Sequence, residues 1–121
     1  MRRKPGTLVP LEENICISAA QLRRNGVKEF HGYEMARHLS SAAERKLLTA
    51  YGTLYRALGR LEEMGLLKSR WEDPEIPARE NRPGRRLYTL TAAGEKAALA
   101  VQRAARASAR ARARTRRLAP A

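Results

Sequence analysis

Cysteine, aromatic residues and long apolar runs are all scarce in this chain of 121 residues. No stretch approaches the about 18 apolar residues that a membrane-crossing helix needs, and the opening MRRKPGTLVP lacks the apolar core of a secretory leader. A soluble, cytoplasmic protein with no membrane partner is expected. The lone cysteine, Cys16, excludes an intrachain disulfide, and its neighbours Ile15 and Ile17 mark it as a small core residue rather than a reactive thiol. Catalytic equipment is missing too: there is no Gly-rich phosphate loop and no nucleophile with a base partner. His31, Glu34 and His38 stand at i, i+3 and i+7 as metal ligands on one helix would. Gly32-Tyr33 puts His31 at a helix start, however, and no second Cys, His or Asp cluster supports a site. The chain reads as a non-enzyme with no cofactor, no metal and no catalytic residue.

Positive charge is what the chain has in excess. Its 25 Lys and Arg against 12 Asp and Glu give a net charge of +13, which favours a polyanionic partner, nucleic acid first. The excess is uneven: residues 1–100 are net +6, whereas 101–121 hold seven Arg and no acid. That end has too few bulky apolar residues to insert into a membrane surface.

Periodicity orders the remainder. Residues 1–10 are a basic Pro/Gly-containing arm, 11–90 one domain, and 91–121 an Ala/Arg-rich helix and tail. Leu11, Ile15, Ser18/Ala19 and Leu22 follow helical spacing up to Asn25-Gly26, a C-terminal stop. After the link VKEF, the segment HGYEMARHLSSAAERK predicts a second amphipathic helix, with Met35, Ala36 and Leu39 on one side. Thr49 is the expected N-cap of a third helix, AYGTLYRALGRLEEMGLL, that stops at Gly65. LLKSRWE and RRLYTLT alternate as half-exposed strands, and the Pro-rich DPEIPARENRPG between them reads as an irregular hairpin tip carrying Arg79 and Arg82. Thr91 then caps a last helix. The fold class is mainly α with a small β-hairpin: a winged helix-turn-helix domain followed by a C-terminal helix.

Wound at about 100 degrees per residue, the third helix sends Leu54, Ala57, Leu58 and Leu61 to one side and Gly52, Thr53, Arg56, Gly59, Arg60 and Glu63 to the other. Glycines there remove bulk where a large object approaches, and arginines four apart reach phosphates or guanine edges. Alternatively the glycines relieve crowding against the first two helices and the arginines are merely solvated. The helix before and the basic hairpin after favour double-stranded DNA, with this helix in the major groove. A general nucleic-acid-coating protein is the rival reading: it accounts for the Arg-rich end but not for the third helix.

HGYEMARHL, GTLYRALGRLEEMGLL, SRWEDPE and RRLYTLTAAG, in that order between Phe30 and Glu95, resemble the PadR-like transcriptional regulators. The resemblance implies a homodimeric, usually repressing winged-helix protein on palindromic promoter DNA, in some relatives responsive to a small-molecule effector. Thr53, Tyr55 and Arg56 become leading contacts, although the Tyr55 phenol serves equally for packing on the second helix. Gly52 and Arg60 share that face, Tyr51 lies near its edge, and Lys68, Arg70, Arg82, Arg85 and Arg86 are expected to supply the wing's phosphate contacts. The chain departs from the family after Val101, where large apolar residues give way to Ala and Arg, so a dimer is expected to use Leu8, Val9 and Leu11 with the start of the last helix. Whether residues 103–121 bind DNA, dimerise or stay disordered is left open by the sequence. Trp71 reads as a core or hinge aromatic.

Overall fold

The computed structural model describes residues 7–39 and 51–118. Helix α1 (Pro10–Arg24) begins at a proline, whose fixed φ suits a first turn and whose missing N–H costs nothing there. Glu12 Oε1 accepts from the backbone N of Val9 at 3.0 Å, while Glu12 and Glu13 at one end and Arg23 and Arg24 at the other complement the helix dipole. Gly26, at φ +87°, ends it, and Val27 N returns to Leu22 O at 2.8 Å.

Helix α2 (Gly32–His38) is capped by His31, whose Nδ1 accepts from Glu34 N at 3.3 Å. The remainder of the predicted second helix, and Thr49, lie outside the described residues. Helix α3 (Tyr51–Glu63) closes at Gly65, at φ +77°, with Leu66 N bonded back to Leu61 O at 3.0 Å. That left-handed stop turns the chain into β1 (Leu67–Trp71), which pairs antiparallel with β2 (Arg86–Leu90), Leu67 opposite Leu90 and Trp71 opposite Arg86.

Two features differ from the sequence reading. The hairpin tip is not wholly irregular: Glu75–Arg79 form a short helix, α4, with Pro77 buried in its first turn. The link after α1 is not a bare connection either, because Phe30 and Tyr88 exchange both backbone hydrogen bonds, at 3.0 and 2.7 Å, and stack their rings with centroids 5.9 Å apart.

Helix α5 (Ala92–Leu118) is capped by Thr91, whose Oγ1 accepts from Gly94 N at 3.0 Å. Its first turns pack on α1 and β2. The core joins Leu11, Ile15, Cys16 and Ala19 of α1 to Met35, Leu39, Leu54, Leu58, Leu61, Leu67, Leu90 and Ala98. Cys16 is fully buried, and burial pushes its thiol up to about 11. Leu11 also belongs to this core and is only 6% exposed, so little of it is open to a partner copy.

Candidate nucleic-acid interface

Burial of Leu54, Ala57, Leu58 and Leu61 fixes the rotation of α3 and turns the other side outward. Gly52 is exposed and Gly59 half-exposed, and a Cβ at either would meet nothing within 4 Å among the described residues. The crowding account of these glycines therefore finds no support. Thr53 is half-buried beside them, and Arg56 is exposed with no side-chain ion pair among the described residues. Tyr51 opens the helix.

Tyr55 packs on α2 and still keeps an exposed edge. Its ring lies so close to α2 that a Cβ on Gly32 would come within 2.8 Å of it, yet the residue stays 48% exposed. Arg60 does not join the outward face. Its Nε sits 3.3 Å from Oε2 of the buried Glu12, so α1 draws the guanidinium inward, away from the groove-facing position expected of it.

The wing's basic residues divide in two. Lys68 and Arg85 are exposed, with side chains in no ion pair among the described residues. Arg70 is held by both oxygens of Glu29, at 2.6 and 2.8 Å, which brings the Glu29 carboxyl below its ordinary range. Arg86 donates to Ser69 Oγ at 2.9 Å, approaches Glu62 Oε2 at 3.4 Å and covers the Trp71 ring at 5.7 Å. Exposed ion pairs of this kind are weak, so Arg70 and Arg86 can be drawn off by a phosphate.

Arg82 is different. Its side chain is only 18% exposed and bonds Glu72 and Glu80 together, while Glu72 Oε1 also accepts from Arg85 N at 2.9 Å. The carboxyl of Glu72 is lowered chiefly by Arg82, and the Arg82 guanidinium is raised in turn. Arg82 thus braces the turn rather than reaching from a free tip, and Arg79 donates to Glu75 O within α4.

Between α2, α3 and the hairpin runs an open groove of about 480 Å³ lined by His31, Tyr33, Tyr55, Trp71, Arg85 and Arg86 among others. Trp71 is 64% exposed in it, not in the core, and among the described residues β1 pairs with β2 alone. Tyr33, 53% exposed, was unmarked by sequence reasoning; its position after Gly32 in HGYEM was the available signal. Three aromatic faces beside two guanidinium groups suit sugar, base or phosphate. Among the described residues no group of His, Cys, Asp and Glu could hold a metal ion, and His31 serves as a helix cap.

A family model described as the transcriptional regulator PadR-like family matches residues 22–100. No curated protein sequence matches the chain. Among solved structures, a PadR family transcriptional regulator from Eggerthella lenta superposes with a TM-score of 0.61 at 22% identity, covering 87% of this chain and 82% of that one. The circadian clock associated protein Pex from Anabaena superposes with a TM-score of 0.51 at 22% identity, covering 92% and 90%. At such identities the likeness is one of fold.

Proposed function

This chain belongs to the PadR-like family of transcriptional regulators, whose members bind DNA and are not enzymes, and we propose that it is a homodimeric repressor reading a palindromic promoter site through α3. The observation that carries the reading is the outward face of α3: Arg56, in no ion pair among the described residues, between two glycines that leave open space, next to an aromatic and basic groove. Arg56, Thr53 and the edge of Tyr55 read bases, while Lys68, Arg85, Arg70 and Arg86 fix the register on phosphates. Such a regulator works in the cytoplasm beside its promoter. An effector that releases the DNA belongs to the same reading, and the groove of about 480 Å³ is of a size that admits a small molecule.

Dimerisation follows from the small number of bases that one recognition helix can reach, since symmetry doubles the site. With Leu11 used in the core, the surface for a partner copy is the half-buried Leu8 and Val9 together with the side of α1 and α5 that carries Ala20 and the 44%-exposed Leu99. Selection of bound duplexes from a random pool tests the whole reading. Inverted half-sites about one helical turn apart are expected, with a dimer in sedimentation. No enrichment of any sequence would leave only the coating-protein reading.

A further inference from the structure

Helix α5 continues well past the part that packs. Among the described side chains, every one from Arg103 to Arg116 is exposed, and the sequence holds no acid after Glu95. Ala and Arg are strong helix formers, so the segment needs no core to stay helical, and its arginines complement the negative end of the helix dipole. Winding at about 100 degrees per residue gathers Arg103, Arg106, Arg110 and Arg114 into an arc of roughly 80 degrees, about 16 Å long. Cations at i and i+4 on one face repel each other. Among the described residues none of the four has a side-chain hydrogen bond or ion pair that would relieve the repulsion.

We propose that Arg103, Arg106, Arg110 and Arg114 form a second, sequence-independent site for the phosphates of duplex DNA, separate from the α3 face. The choice of duplex DNA as the polyanion rests on the proposed function. A duplex carries one negative charge per about 1.7 Å of axis, so a straight row of cations on a rigid helix finds phosphates at any register. The main competitor is a dimer seam along the alanines. Ala104, Ala105, Ala107, Ala109, Ala111 and Ala113 offer little apolar area to bury in water, and pairing two such helices would bring their arginines together.

The test replaces Arg103, Arg106, Arg110 and Arg114 by Gln in the full chain, with the four Lys replacements as a charge-preserving control. Affinity for a random duplex is measured against salt, site preference against the selected duplex, and mass by sedimentation. The Gln variant should bind both duplexes more weakly by the same factor. Its slope of log affinity against log salt should be smaller by about 0.9 for each phosphate that is no longer neutralised, hence by about 2 to 4. The Lys variant should keep the wild-type slope, and the mass should not change. An unchanged slope in the Gln variant overturns the proposal, and an unchanged slope with a halved mass assigns the segment to dimerisation. If the wild-type chain selects its site and only the slope prediction fails, the proposed function stands without this second site. If the wild-type chain binds no duplex, both fall.

Discussion

Arg60 Nε on α3 lies 3.3 Å from Oε2 of Glu12 on α1, a residue only 2% exposed. Arg60 Nε has no aligned hydrogen bond among the described residues, so the attraction that ties α3 to α1 here is one of charge. Removing the arginine takes one counter-charge from the buried Glu12 carboxylate, which keeps its bond from Val9 N, and the penalty is reduced further because the Arg60 side chain is 36% exposed. Arg60→Ala should lower the unfolding free energy by about 1–3 kcal/mol, read by urea denaturation. It should weaken specific and random duplexes alike; selective loss of the specific site would return Arg60 to the reading face.

Arg56 should behave in the opposite way. It is exposed and unpaired among the described residues, so Arg56→Ala should leave stability within about 0.5 kcal/mol. Discrimination between the selected and a random duplex should shrink by roughly 1–3 kcal/mol. Competition titrations at fixed salt decide it, and equal weakening on both duplexes would make Arg56 a phosphate contact.

The contrast between these two arginines shows where local sequence reasoning stops. Periodicity places α1, α3, the two strands and α5, and turn chemistry places Gly26, Gly65 and Thr91, because each signal lies within a few residues of its effect. Arg60 and Arg56 are the same residue type four apart on one face, and what separates them is Glu12, far away in sequence. Arg70 and Glu29, or Arg82 and Glu72, are likewise invisible to spacing. The Phe30 bridge is a single-residue pairing with no alternation to detect. Helix α4 is hidden by its prolines, which read as breakers although Pro77 falls in a first turn that tolerates it. Strand alternation points Trp71 at the core, but alternation cannot tell how many strands or helices cover the sheet.

His31 supplies a pH dependence whose sign is fixed by its capping role. Nδ1 accepts from Glu34 N, which requires that nitrogen to be unprotonated, and burial first, then Arg85 and Arg82, hold the imidazole below its ordinary value of 6.5, with Glu34 opposing. A group depressed in the folded state stabilises above its unfolded pKa and loses that contribution as pH falls. Stability should therefore begin to decline below about pH 6.5. His31→Asn, a capping residue that does not titrate, should flatten the profile between 6.5 and the carboxylate range in thermal melts. An unchanged profile would show that the cap is not what titrates.

Two glycines on different faces should respond oppositely to alanine. At Gly94 a Cβ would stand 2.2 Å from Leu66 O, a backbone atom, and 2.4 Å from a methyl of Leu90. Gly94→Ala should cost at least the about 1–3 kcal/mol of an overpacked core, because α5 would have to lift from the strand it caps. At Gly59 a Cβ meets nothing within 4 Å among the described residues, and the residue is inside a helix. Gly59→Ala should therefore stabilise the free protein by up to about 1 kcal/mol, seen as a higher urea midpoint with an unchanged slope. The question is then why α3 keeps a residue that weakens it. If the outward face enters a DNA groove, the added methyl stands where the duplex must approach, and the stabilised variant should bind its selected site more weakly than the wild type. A Gly59→Ala protein that is both more stable and equally tight on DNA would show that the open space beside Arg56 is not occupied by the duplex, and the face that reads DNA would have to be sought around Tyr55 and the wing groove instead.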